Sequence, residues 1–420
     1  MPAGFRIFLA ITALLVISCT AAPATAAGLG VAWKERPPSE GSFNSVMLSS
    51  DGSKVFAGGS QMYVRSWDGK EHWGGAPGSI AAMSADGNYV VYGLGNALVM
   101  LNSNGTDVWS RNMEGPVQTV AISGNGSFVV SADSRGNINS WSKYGEFYGQ
   151  NKTDLVKQIA ISPPGTLVVA TTERGLKFLT RTLNPVWSDT RNGSIDTFIA
   201  FSENGSTIIT AGGRRVSSHT ASGQLNWMKD VTQNPIISMA CSRDCSVIVV
   251  GGEDSTVEAM DGYGTTHWAY PAAQWVNTVA VSRDASVIVA AGIDRNLYVL
   301  DHAGKLQVKK KMDTIIHPRS VAVSGDGRRI VVADEYALYG FTLSAGPDIT
   351  EPVTVIPVTS ARYTVTPTLL PETTPVMVTS VTPGPTPVPE TTTPGSPLNP
   401  VTVILAVGAG MSLVLVKSKY

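Results

Sequence analysis

A short phrase, Ser-x-Asp/Asn-Gly following an apolar run, returns eight times along this chain of 420 residues, whole in five places and with one position changed in three. It falls at Ser49 to Gly52, Ser84 to Gly87, Ser123 to Gly126, Ser162 to Gly165, Ser202 to Gly205, Ser242 to Cys245, Ser282 to Ala285 and Ser324 to Gly327. The last positions are separated by 35, 39, 39, 40, 40, 40 and 42 residues. A period of this size decides a fold before local propensity does, because each repeat is one supersecondary unit that buries its apolar face only against its neighbours.

Each repeat has the same internal order. Before the turn runs an apolar strand such as Val120-Ala121-Ile122, carrying a small-residue column at Ala82, Ala121, Ala160, Ala200, Ala240, Ala280 and Ala322, with Met47 departing from it. Small side chains suit an inner strand where sheets converge on an axis. After the turn comes a second apolar run, for example Val247-Ile248-Val249-Val250. A third strand begins at Val64, Leu98, Ile138, Leu176, Val216, Val257, Leu297 or Leu338, and its alternation brings Trp67, Leu101, Trp141, Leu179, His219, Met260, Leu300 and Phe341 to one face. A fourth ends in Trp73, Trp109, Trp187, Trp227 or Trp268, and Gly69, Gly105, Gly223 and Gly264 each stand four residues before the Trp of their repeat. Four short antiparallel strands per roughly 40 residues describe a blade, so the fold expected is an all-β, eight-bladed β-propeller over residues 27–346. The eighth repeat lacks a Trp strand, and Trp33 stands 19 residues before Gly52, close to the 18 that separate Trp187 from Gly205. The N-terminal segment should therefore supply the outer strand of blade 8 and close the ring, removing exposed edges.

The repeats resemble two propeller families. Trp67-Asp68, Met260-Asp261 and Leu300-Asp301 look like the third-strand ends of WD40 repeats, and the Gly-x-x-x-Trp tails resemble the PQQ-like repeats of quinoprotein dehydrogenases. The resemblance runs from about Leu29 to Ser344. It is specific for fold, since propellers carry many unrelated functions.

The two ends suggest an address. Residues 1–26 read as a cleaved secretory signal: Arg6, an apolar run from Ile7 to Ile17, and the small residues Ala24-Thr25-Ala26. Val16-Ile17-Ser18-Cys19 also resembles a lipoprotein box, with Cys19 as the lipidated residue. Over 347–400, 13 of 54 residues are Pro and 14 are Thr, a composition that cannot offset its ordering entropy by burial and reads as an extended stalk. Val401 to Val416 is uncharged, near the short end of a membrane helix, and Lys417 and Lys419 put the tail, 417–420, in the cytoplasm. The whole arrangement resembles archaeal envelope proteins, methanogen-type in particular.

Charge narrows the partners. Lys and Arg number 31 against 32 Asp and Glu, so no net field attracts nucleic acid. Three cysteines exclude a disulfide scaffold and a cysteine-ligated metal centre. Cys241 and Cys245 flank one turn, where opposed hairpin positions can approach the separation a disulfide requires. His72, His219, His267, His302 and His317 show no metal-ligand spacing. Asp133, Glu173, Asp254, Asp294 and Asp334 recur between second and third strands; calcium at a rim is one reading, and hydrogen bonding within each turn is the favoured one. Trp275 lies out of register in a connection and is the candidate binding aromatic. Asn104, Asn125, Asn151, Asn192 and Asn204 open glycosylation sequons.

These features describe a membrane-anchored, extracytoplasmic propeller that serves as a non-catalytic binding module for a protein or glycan, with no cofactor or metal called for by a motif. A structural envelope component is one alternative. The other is an oxidoreductase dependent on pyrroloquinoline quinone. The quinoprotein resemblance implies a Trp floor, a disulfide of adjacent cysteines, calcium and a catalytic Asp, for which Asp254 or Asp294 would have to stand in; here no two cysteines are adjacent.

Overall fold

The computed structural model describes residues 27–36, 42–70, 72–74, 80–189 and 197–344. The expected signal (1–26), stalk (347–400), membrane segment (401–416), tail (417–420) and the Asn192 sequon lie outside these residues. Among the described residues the chain forms thirty-two strands in eight four-stranded antiparallel sheets, and no helix. In blade 1 the order is Phe43–Leu48, Lys54–Gly59, Tyr63–Ser66 and His72–Gly74, each strand paired with the next. Blades 2 to 7 repeat this up-and-down order.

Closure follows the expectation from Trp33. In blade 8 the strands Val321–Val323, Arg329–Ala333 and Leu338–Ser344 receive Gly28–Glu35 as the outer strand, in antiparallel register from Gly28 opposite Ser344 to Glu35 opposite Leu338. The core lies between blades: eight apolar clusters each join two successive sheets, such as Phe128, Val130 and Ile138 of blade 3 with Val156, Val168 and Leu179 of blade 4. The third-strand column behaves as its alternation requires, with Leu101, Trp141, Leu179, His219, Met260, Leu300 and Phe341 all buried and Trp67 half-buried.

The recurring turn is a small hydrogen-bonded device. Its Ser is buried in all eight repeats. The hydroxyl accepts the backbone N–H of the residue opening the second strand at 2.9–3.0 Å, from Lys54 in blade 1 to Arg329 in blade 8. Where the third residue is Asp or Asn, the same hydroxyl donates to its side chain, as from Ser84 to Asp86 at 2.5 Å. The fourth residue must take a left-handed backbone, which explains glycine; Cys245 and Ala285 adopt it at φ 56° and 58° with a Cβ in place.

The outer strands lock blade to blade. Trp73, Trp109, Trp227 and Trp268 donate their indole N–H to Ser103, Lys143, Gly262 and His302 of the next blade at 2.7–3.1 Å. These four rings and that of Trp187 lie so close to a turn glycine (Gly105, Gly145, Gly264, Gly304 and Gly223) that an added Cβ would stand 2.4–2.9 Å from ring atoms. Between blades 3 and 4 the lock is inverted: Gly149 takes the Trp position, and Leu183, 1% exposed and at φ 62°, takes the glycine position. A Cβ on Gly149 would stand 2.4 Å from the Thr182 carbonyl. At the closing junction Arg65, 4% exposed, lies 4.1 Å from the Trp33 ring and pairs with Glu35, while the Trp33 indole N–H finds no hydrogen-bond partner among the described residues.

Candidate functional site

Antiparallel connectivity sends every first-to-second and third-to-fourth turn to one face of the disc, and every second-to-third turn and blade connection to the other. On the first face, the second residues of the eight Ser-x-Asx-Gly turns meet around the axis: Ser50, Ala85, Gly124, Pro163, Glu203, Arg243, Arg283 and Gly325. Backbone hydrogen bonds join them in a belt. Ser50 N donates to Ala85 O at 2.8 Å, Asp86 N to Gly124 O at 3.3 Å, Gly124 N to Pro163 O at 3.4 Å, and Glu203 N to Arg243 O at 2.7 Å. Arg243 N then donates to Arg283 O at 2.8 Å, Arg283 N to Gly325 O at 3.1 Å, and Gly325 N back to Ser50 O at 2.8 Å. Seven of the eight junctions are thus bridged, and the open one follows Pro163 and Pro164, which have no N–H to give.

The belt surrounds a depression of about 630 Å³ lined from seven blades, including Ser50, Asp86, Asn125, Phe201, Arg243 and Arg283. Residues with small or no side chains, Ser50, Ala85, Gly124 and Gly325, keep its rim open, and three consecutive blades supply charge. Glu203 forms ion pairs with both Arg243 and Arg283, which reach it from the next blade and the one after. The trio carries a net positive charge, and Asp86 places a carboxylate on the other side of the opening, tied to Ser84 and Asn88 of its own turn. The third-position carboxylates of neighbouring turns are structural: the Ser246 N–H and hydroxyl hold Asp244 below the ordinary carboxylate range.

The residues singled out in the sequence are dispersed by the fold. Trp275 sits on the opposite face, between Thr266–Pro271 and Val276–Val281, and is 45% exposed. Asp133 accepts from Arg135, Asn137 and Gly115; Asp254 accepts from Thr256; Asp294 accepts from Asn296 and Tyr298; and Asp334 accepts from Tyr336, Ala337 and Tyr339. Glu173 is exposed. Among the described residues no three His, Cys, Asp or Glu side chains gather as metal ligands would. His219 is buried against Phe178 and Trp187, and His267 pairs with Asp261 at 3.4 Å. Asn104, Asn125 and Asn204 are exposed, the last two filling the third position of their turns. Asn151 is half-buried and its amide donates to Leu183 O at 3.1 Å, so a glycan there would break a contact between blades.

Cys241 and Cys245 are free thiols here, not the bridge their spacing suggested. Cys241 closes the strand Ile236–Cys241 and Cys245 is buried at the left-handed turn position. The neighbouring Cys245 thiol, desolvation and nearby Asp244 push the Cys241 thiol well up.

A pyrroloquinoline quinone does not fit what the axial mouth offers. The tryptophans that could floor such a ring are pinned against turn glycines of the next blade, and the two cysteines are separated by a turn. Phe201 is the aromatic residue lining the opening.

Closed ring, belt and indole locks define a propeller scaffold whose distinctive chemistry lies in its turns. Family comparison agrees with the repeat structure: the model described as outer membrane protein assembly factor BamB matches residues 165–341. The crystal structure of the C-terminal WD40 domain of Sif2 is similar over 76% of this chain and 99% of that one, with a TM-score of 0.63 and 14% identity, a likeness of fold. Comparison with curated proteins gives no match. The chain is an eight-bladed β-propeller whose repeats are similar to those of the PQQ-like model and whose fold is similar to that of a WD40 domain.

The second turn position carried no meaning in the repeat alignment, where it varied freely. The signal was the run Glu203, Arg243, Arg283 at that position in three successive repeats.

Proposed function

We propose that this protein is a non-catalytic interaction module that holds a rigid propeller at a cell surface and binds a protein partner. The observation that carries the reading is the exposure of four aromatics at loop tips and connections: Tyr144, Tyr263, Trp275 and Tyr336 are 45–80% exposed, whereas most of the aromatic side chains of this fold are buried or half-buried. Tyr and Trp supply large contact area at low entropic cost and dominate binding hot spots. The match to an assembly-factor family supports a protein-interaction or assembly role. The signal-like 1–26, the Thr/Pro-rich 347–400 and the apolar 401–416 support surface anchoring.

The test is site-specific photo-crosslinking of the full chain in its native membrane, with the probe replacing each of the four aromatics in turn. A discrete protein adduct from at least one position is expected. Adducts to glycan alone would reassign the partner. Absence of any adduct, together with bound quinone and reduction of an artificial acceptor by the purified chain, would favour the oxidoreductase reading instead.

A further inference from the structure

We infer that the axial mouth on the Ser-x-Asx-Gly face is a receptor for one acidic residue of a partner polypeptide, its carboxylate held by Arg243 and Arg283 and its backbone N–H by the Glu203 carbonyl. This rests on the reading that the propeller binds protein, and it names the site and the chemistry.

Three independent features converge there. Arg243 and Arg283 each carry five N–H donors, and their contacts to Glu203 run through Arg243 Nε and Arg283 Nη2, so the two guanidiniums together hold more donors than one carboxylate can use and leave some for a second. Glu203 fixes both guanidiniums in place, so the pocket is preorganised. The Glu203 carbonyl is the second feature. At the other junctions the donor to the next blade is the N–H of the second turn residue or, in blade 2, of the third. Blade 4 has proline at both positions, so neither donor exists, and no described hydrogen bond reaches Glu203 O. An unsatisfied acceptor beside a cation pair matches a peptide unit and its acidic side chain, which a bare anion does not. The third feature is the wall: Ala85, Pro163, Pro164, Phe201 and Val281 line the same opening and suit an apolar neighbour in the bound segment. Asp86 on the opposite side and the ring of turn aspartates disfavour a polyanion, so the site selects a single carboxylate.

The probe is the capped pentapeptide acetyl-Gly-Phe-Glu-Ala-Gly-amide, titrated calorimetrically into the full-length protein, with its Gln counterpart and inorganic phosphate as comparisons. The Glu peptide should bind saturably and at least about ten-fold more tightly than the Gln peptide, the scale of one charge-assisted contact. Arg243→Gln with Arg283→Gln should remove that preference. Pro163→Ala with Pro164→Ala, which restores donors to the belt, should weaken the Glu peptide several-fold while leaving the arginines in place. Circular dichroism checks that each variant is folded. Equal binding of the two peptides, or phosphate binding as tightly as the Glu peptide, would overturn the assignment. So would an arginine variant that retains the preference. A protein adduct from the crosslinking experiment combined with any of these results would leave the interaction role standing and remove only this site.

Discussion

Replacing Gly223 by Ala tests the indole lock directly. The residue sits at φ +86°, and a Cβ there would stand 2.4, 2.5 and 2.6 Å from Cγ, Cδ2 and Cβ of Trp187 in the preceding blade. A left-handed backbone costs a residue with a Cβ about 1–2 kcal/mol. Displacing a packed ring adds about 1–3 kcal/mol, the usual range for overpacking. The sum, roughly 2–5 kcal/mol, is a large fraction of the ~5–15 kcal/mol that holds a typical domain together. Gly95 provides the control, because it also has a positive φ, +55°, but nothing lies within 4 Å of its added Cβ. Gly95→Ala should therefore show the backbone cost alone. Urea unfolding followed by far-ultraviolet circular dichroism, which does not depend on Trp187 emission, should place the Gly223→Ala midpoint clearly below that of Gly95→Ala. In a Trp187→Gly background the clash has no partner, so Gly223→Ala should cost about as little as Gly95→Ala, giving a coupling of about 1–3 kcal/mol. Equal midpoints for the two glycine variants, or additive effects in the cycle, would refute the lock.

The inverted junction makes its own prediction: Gly149→Ala should destabilise by about 1–3 kcal/mol, since its Cβ meets the Thr182 carbonyl, and an unfolding midpoint equal to wild type would exclude that contact as a constraint. Acid stability should follow the turn carboxylates. Ser246 holds Asp244 low, and in Asp51, Asp284 and Asp326 partial burial works upward but hydrogen bonds from their own turns outweigh it. Depressed folded values mean stability fully present above the unfolded value of about 3.9 and lost as pH falls through the folded ones, so the thermal midpoint should be level near pH 6 and drop below about pH 4. A midpoint unchanged down to pH 2.5 would contradict this. Cys241 should react slowly with iodoacetamide in the folded protein at neutral pH and quickly once unfolded, as its raised thiol requires; similar rates in both states would count against that upward shift. Deleting Val401 to Tyr420 should release the propeller from membranes, and continued retention would point to Cys19 as the anchor.

Much of this molecule was legible without coordinates because its repeat is local chemistry. The Ser hydroxyl of each turn binds an N–H five residues on and, in the seven turns with Asp or Asn in third place, a side chain two residues on, so the device is complete within one stretch of sequence and advertises itself wherever it recurs. Blade number, strand order and the closing role of Trp33 follow from counting such turns. The Gly-x-x-x-Trp pattern likewise announced an inter-blade contact. Gly149 and Leu183, by contrast, look like two unrelated departures, and only packing shows them to be one exchange of volumes across a junction. The axial site lay further out of reach. Its residues come from one position in different repeats, and that position makes no side-chain contact within its own turn, so local preference says nothing about it. Pro163-Pro164 reads in the sequence merely as a turn. Their missing N–H groups acquire meaning only when ring closure sets the Glu203 carbonyl beside them, because a hydrogen bond that fails to form between two blades leaves no trace in either one alone.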